Sequence, residues 1–311
     1  MKTLKKISAV ILTAASVLTL TGCSASAEST ASNTASGEAV KIGVPSDATN
    51  QARAINLLAD AGLIEVDKDA GYTPELKDVT KYIYNIEIVP AAANTLASTL
   101  DDYGASCING TYAVPAGLSP TEDGLITEKQ ETGSDNPYIN AIVARTEDKD
   151  NKDYKTVVKA FQSQLVAEYL LEKNKGSSVP AFDYDKDYTV DDDFVSEIEG
   201  YSSSKDGKKE IKVGICGSGD EWKAVQKVLD EEDSGLYIDL VIFDAYNLPN
   251  EALNSGEIDL NSFQHKAYLA SEIKSQGYKL TAIGDTSSAP LTLYSKKAST
   301  LDELKKLAGK K

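Results

Sequence analysis

Between residues 40 and 311, short apolar runs alternate with longer stretches in which apolar side chains recur at helical spacing. Val40-Lys41-Ile42-Gly43-Val44 reads as a short strand. It breaks at Pro45-Ser46-Asp47 and leads into a helix from Asn50 to Ala61, with Ile55, Leu57 and Leu58 inside and Gly62 as the stop. Ile211-Lys212-Val213-Gly214-Ile215 has the same layout: it breaks at Gly217-Ser218-Gly219-Asp220 before a helix from Glu221 to about Leu229. Further strands are expected at 86–89, 105–108, 139–144, 237–243 and 279–284, and helices at 94–101, 154–173, 248–255 and 265–275. The final residues, STLDELKKLAGKK, read as the opening of a helix. Ser299 or Thr300 can cap it, Asp302 and Glu303 suit its first turn, and Leu301, Leu304 and Leu307 share one face. Strands alternating with helices predict α/β architecture with mainly parallel sheets, and the two strand–turn–helix openings predict two lobes.

Polarity changes sharply in two other places. Lys2, Lys5 and Lys6 precede an apolar run from Ile7 to Leu20, too short for a comfortable membrane span. The run ends in Leu20-Thr21-Gly22-Cys23, which matches the lipobox of an exported lipoprotein. Residues 1–22 are therefore expected to be a lipoprotein signal peptide. Cys23 is the expected lipidation site, and two acyl chains there suffice for stable anchoring. The expected location is the extracytoplasmic face of the cell membrane. Residues 23–39 hold no large apolar side chain and read as a flexible tether; a coil of that length spans roughly 20–24 Å. The second change is 183–209, acidic and then Ser- and Lys-rich, which reads as a surface linker. Asp183, Asp185 and Asp187 match the first ligands of a calcium loop, but Tyr188 and Phe194 stand where that loop needs Gly and Glu.

The chain has 311 residues, 41% hydrophobic and 26% charged, enough for two lobes of ordinary globular composition. Its formal net charge of −16 repels phosphate backbones and argues against nucleic acid as a partner. A single histidine, His265, excludes a metal site built on several imidazoles, and Cys is too scarce for a zinc cluster. Cys107 and Cys216 sit in apolar runs and are expected as buried free thiols. There is no G-x-S-x-G elbow and no phosphate-binding G-x-x-x-x-G-K-[ST]. Gly217-Ser218-Gly219 fails the dinucleotide fingerprint, because Trp222 stands at the third glycine position. With no cofactor motif and no catalytic set, the reading is a solute receptor rather than an enzyme. An exported hydrolase with converging carboxylates and a scaffold lipoprotein with no small ligand are the rivals.

Ligands in open α/β sheets lie beyond the carboxyl ends of the strands. The first such end is PSDATNQARA, where Arg53 can clamp a carboxylate near a helix N-terminus, or pair with Asp47 or another neighbour. The second holds Tyr246, Phe263, His265 and Tyr268, whose rings either pack in a core or wall a small apolar side chain. The third is Cys107-Ile108-Asn109-Gly110-Thr111-Tyr112, where Asn109 can hydrogen-bond an ammonium or a carboxylate.

Five segments, "NLPNEALNSGEIDLNSFQHKAYL", "APLTLYSKKASTLDEL", "PSDATNQARAINLLADAGLI", "INGTYAVPAGL" and "NPYINAIVAR", resemble the methionine-binding lipoproteins of the NlpA/MetQ type. Those are the substrate receptors of a methionine ABC importer. The resemblance covers nearly all of 40–182 and 210–311. The halves stand in reversed order: the NSFQH half, which comes first in the family, is here residues 210–311. The resemblance thus implies a two-lobed periplasmic-binding-protein (type II) fold, circularly permuted, with 183–209 joining the family's old ends. One lobe is expected over 40–115 plus 299–311, and the second lobe with the hinge over 116–298. Carried over by match, Arg53 becomes the carboxylate clamp and Asn109 a polar partner of the head group. Tyr246, Phe263, His265 and Tyr268 wall a thioether pocket, with Asn50 and Tyr112 as further contacts. Ala52 and Ala267 depart from the family's frequent Gly and Pro, and the GSGDEW turn differs from many members. The implied ligand is L-methionine, with a methionine-containing dipeptide or another apolar amino acid as alternative. The implied partners are an ABC permease and its ATPase.

Overall fold

The computed structural model describes residues 37–129, 136–175 and 178–311. The signal peptide, Cys23 and the tether up to residue 36 lie outside the described residues. Ten strands build two five-stranded sheets. The first contains β1 (Val40–Pro45), β2 (Ile86–Ala91), β3 (Ala105–Asn109) and β4 (Gly124–Thr127). The second contains β5 (Asn140–Arg145), β6 (Lys209–Ile215), β7 (Leu236–Ile242), β8 (Leu260–His265) and β9 (Leu280–Asp285). The last strand, β10 (Leu291–Tyr294), returns to the first sheet.

The two sheets share one plan. The first runs β2–β1–β3–β10–β4 and the second β7–β6–β8–β5–β9. In each, three strands are parallel and the fourth is antiparallel, contributed by the other half of the chain. The chain therefore crosses between sheets twice, once between β4 and β5 and once between β9 and β10. This defines two α/β lobes joined by a double hinge, and each lobe has its own core. Ile42, Val44, Ile55, Leu58, Cys107 and Leu293 pack in the first; Ile142, Phe161, Val213, Trp222 and Leu260 pack in the second.

Local chemistry accounts for most elements. The central strands β1 and β3 are buried on both faces over most of their length, as parallel strands flanked by helices must be. Helix α1 (Ala48–Asp60) starts where Asp47 accepts the Asn50 N–H at 2.9 Å, and ends before Gly62, whose φ of +68° suits glycine. A Cβ on Gly43 would meet Ser106 Oγ at 2.7 Å, so this position on β1 needs glycine for close packing.

Several expectations are corrected. The stretch 154–173 is two helices, α2 (Lys152–Phe161) and α3 (Gln164–Asn174), because Ser163 starts a new helix by accepting the Val166 N–H. Residues 94–101 form two 3₁₀ turns, with the Thr95, Ser98 and Thr99 hydroxyls bonded to nearby carbonyls. The linker 183–209 is more than a solvated strap: it carries α4 (Phe194–Gly200), which buries Ile198 to 1% exposure in the second core. The boundary between lobes also shifts, since β4 and β10 pair in the first sheet although both fall within 116–298.

The remaining helices are α5 (Glu221–Glu231), α6 (Pro249–Ser255), α7 (Lys266–Gln276) and α8 (Leu301–Ala308). Helix α8 docks on the first core through Leu304 and Ala308. Thr300 caps it by accepting the Glu303 N–H, and Glu303 accepts the Ser299 N–H in return. Beyond it, Lys311 N–H donates to Ile83 O and Asn85 N–H donates to Gly309 O. The Asn85 side chain donates to Gly37 O, so one residue holds the segments at 37 and at 309.

Candidate ligand site between the lobes

The carboxyl ends of β1, β3 and β8 converge on a partly open cavity. Seven of the eight sequence-nominated residues line it: Asn50, Arg53, Asn109, Tyr246, Phe263, His265 and Tyr268. The eighth, Tyr112, stands behind Tyr246 with ring centroids 4.9 Å apart, and its hydroxyl donates to Asp244 O at 3.4 Å.

The first lobe supplies the polar end. Arg53 is 4% exposed on the inner face of α1. Its nearest acid is not Asp47 but Glu128: Nε donates to Oε1 at 3.1 Å and Nη2 to Oε2 at 2.5 Å. Nη2 also donates to Ala289 O at 3.0 Å, and Nη1 donates to Asn50 Oδ1 at 3.1 Å. A guanidinium has five N–H donors, so one on Nη1 has no partner among the described residues. Asn50 Oδ1 also accepts from Asn109 Nδ2 at 2.9 Å, while the Asn50 amide donates to Asp47. Asn109 Oδ1 is buried with no hydrogen-bond partner among the described residues. A buried carbonyl oxygen left unbonded costs about 1–3 kcal/mol, which a donor arriving in the cavity would recover.

The second lobe supplies the rings. Tyr246, Phe263 and Tyr268 form a triangle with centroids 5.8–6.1 Å apart. Burial raises the pKa of both phenols, Tyr246 and Tyr268, so they stay neutral. His265 ends β8 and caps α7: Nδ1 accepts the Tyr268 N–H at 3.0 Å. That bond leaves the proton on Nε2, which faces Asn50 Oδ1 at 3.3 Å across the lobe boundary. Burial, and then the Arg53 charge, hold the His265 pKa well below its ordinary value, so the ring is neutral. Beneath β8, Asn250, Asn261 and Gln264 bond to one another in a buried network that fixes the strand presenting Phe263 and His265.

Sequence reasoning missed several neighbours. Thr111, Asn140, Gln264 and Ala289 also line the cavity. Tyr138 places its ring 5.0 Å from the Arg53 guanidinium carbon. Gln264, Tyr138 and Asn140 lie inside the NSFQH and NPYINAIVAR segments, so a signal for them was present. Glu128 carried none, being one acid among 48. A second, more open cavity adjoins the first, with Thr111, Asn140 and Phe263 among the residues they share. Its wall includes the Cys216–Gly219 turn and Glu221, whose carboxyl pKa is raised by burial. Cys107 and Cys216 are buried free thiols; burial pushes Cys216 up to about 12, which keeps it unreactive at neutral pH.

The polar pole and the ring pole together fit an amino acid with an apolar side chain. The family model described as NlpA lipoprotein matches residues 17–182 and 211–309. The D-methionine-binding lipoprotein MetQ of Salmonella typhi is 45% identical over 109 residues, covering 35% of this chain and 40% of that protein. Outer membrane lipoprotein 2 of Mannheimia haemolytica is 37% identical over 138 residues, covering 44% and 49%. Among solved structures, the methionine binding protein MetQ shows 36% identity over 46% of this chain and 57% of its own, with a TM-score of 0.43. A nutrient binding protein from Burkholderia cenocepacia bound to methionine shows 34% identity over 46% and 58%, with a TM-score of 0.42. The chain spans 40–49% of the length of these curated relatives. With the family model matched over most of its length, the chain belongs to the NlpA lipoprotein family.

Proposed function

We propose that this protein is a lipid-anchored, extracytoplasmic substrate-binding protein of an ABC importer, and that it binds L-methionine in the cavity between its lobes. The observation that carries the reading is Asn109 Oδ1, a buried acceptor with no partner among the described residues, next to an Arg53 N–H likewise unused among them and opposite a triangle of rings. The acceptor suits an α-ammonium and the Arg53 donor an α-carboxylate. The rings suit a thioether, whose polarizable sulfur gains from aromatic edges. Cys23 would carry the lipid, and a permease with its ATPase would receive the ligand. No catalytic role is assigned to any residue.

The adjoining cavity supports a second reading, in which a longer ligand such as a methionine-containing dipeptide extends toward Glu221. We also read the chain as circularly permuted. The family match is interrupted at 183–210, where the joint would lie, and Asn85 holds Gly37 beside Gly309. Helix α8 would then dock as a non-covalent neighbour of β1.

Calorimetric titration of residues 24–311, unfolded and refolded to strip bound ligand, tests the reading. Saturable one-to-one binding of L-methionine, lost in Arg53→Ala with the fold kept, is expected. A well-folded protein that releases no heat with L-methionine or with methionine dipeptides would sink it.

A further inference from the structure

Glu128 does not line the cavity, yet it bonds directly to Arg53, which does. Its carboxylate accepts Arg53 Nε and Nη2 on one side and the Leu291 N–H, at 2.8 Å, on the other. Its own N–H donates to Leu291 O at 3.0 Å. Arg53 Nη2 completes the ring of bonds by reaching Ala289 O. Glu128 leaves the first lobe on one hinge strand, and Ala289 and Leu291 enter it on the other. The guanidinium is thus fixed from behind by both hinge strands, with Nε and Nη2 consumed and only the Nη1 edge turned to Asn50 and the cavity.

The electrostatic consequence is as definite as the geometric one. Arg53 is 5% exposed at its side chain and Glu128 20%, so the pair is largely shielded from solvent. His265 is neutral. Asp47, which accepts the Asn50 amide, is the other acid at this pole; without Glu128, Arg53 would present its full charge to the cavity and favour an anion more strongly. Paired in bidentate fashion, it offers a directed donor with its charge already balanced.

We propose that Glu128 is a specificity-determining positioning residue: by balancing and orienting Arg53, it makes the site select a zwitterionic head group over an anionic one. The inference rests on the amino-acid reading of the cavity given above. Glu128 touches no ligand itself and acts through Arg53. Removing one unit of charge within about 10 Å of a ligand charge changes affinity by roughly tenfold at the effective dielectric of such sites.

The test compares wild type, Glu128→Gln and Glu128→Asp with three ligands of similar shape at about pH 6.5, where an α-ammonium is charged. These are L-methionine, 4-(methylthio)butanoate, which lacks the ammonium, and L-methioninamide, which lacks the carboxylate. In Glu128→Gln the anion should gain and the cation lose, each by about tenfold relative to L-methionine. Glu128→Asp keeps the charge and should keep the wild-type order, even if all three bind more weakly. Parallel weakening of all three ligands in Glu128→Gln, or an unchanged order, would overturn the proposal. Wild type that binds none of the three would sink the methionine reading alone. The Glu128 claim is then read from the Arg53 Nε–H resonance titrated with acetate. That signal should respond at about tenfold lower acetate in Glu128→Gln, and an identical response in the two proteins overturns the claim.

Discussion

Asn50 is the point where the two lobes and the polar pole meet, and its removal should be measurable without any ligand. Its Oδ1 accepts from Arg53 Nη1, Asn109 Nδ2 and His265 Nε2, at 3.1, 2.9 and 3.3 Å. All three donors belong to residues that are at most 8% exposed. Asn50→Ala deletes the shared acceptor and leaves the three donors facing an apolar methyl. A net hydrogen bond is worth about 1 kcal/mol and an unpaired buried donor costs about 1–3 kcal/mol, so the loss should be about 3 kcal/mol. The His265 contact is the longest and contributes least. Urea denaturation followed by tyrosine and tryptophan fluorescence gives the change, provided the m-value stays constant. Asn56→Ala serves as the control on the same helix, because its side chain makes only an exposed bond at 3.4 Å; it should change stability by less than about 0.5 kcal/mol. A double-mutant cycle with His265→Asn should show coupling of about 0.5 kcal/mol or more. Loss of under about 1 kcal/mol in Asn50→Ala, or no coupling to His265, would refute the network as described.

Two further outcomes follow from burial. His265 is the only histidine, and its pKa in the folded state lies below its ordinary value, with burial as the main cause. The unfolded chain therefore binds the proton first. Stability contributed by the neutral ring is complete above about pH 6.5 and declines as pH falls below it, by up to about 1.4 kcal/mol per pH unit. Glu221 and Glu272, raised by burial, act in the opposite sense, so the difference between wild type and His265→Asn isolates the imidazole. Stability curves that stay parallel between pH 5 and 6.5 would contradict the assignment. On α8, Leu304 is fully buried whereas Leu307 is 50% exposed. Leu304→Ala should cost about 2–5 kcal/mol by thermal or urea unfolding, and Leu307→Ala less than about 1 kcal/mol. Equal small costs would mean that α8 is not docked on the first core.

What the sequence made legible was local. VKIGVP, IKVGI and ASCIN are short apolar runs with turn residues after them, and they became β1, β6 and β3 with shifts of a residue or two. The strands GLIT and LTLY carry no such boundary and gain their identity from partners far along the chain, so neither β4 and β10 nor their place in the first lobe is legible in the sequence. Helix α4 was hidden by the acids around it. Phe194 and Ile198 are four residues apart with Val195 between them, which is a helical apolar face set in a run that otherwise reads as solvated. At the site, the rings and amides were visible because they cluster after strand ends. The Arg53–Glu128 pair was not, since 75 residues separate its members and only the hinge crossing brings them together.

The central claim is that the ring triangle holds a thioether while Arg53 and Asn109 hold the head group. The most direct test is a crystal structure of the refolded protein with L-selenomethionine, read from the anomalous signal of selenium. The chain contains a single methionine, Met1, so an ordinary preparation adds no selenium background. The account predicts one strong peak among Tyr246, Phe263 and Tyr268, with the ligand's carboxylate on the Nη1 edge of Arg53 and its ammonium on Asn109 Oδ1. A selenium peak outside that triangle, or a ligand with its head group turned away from Arg53, would contradict it.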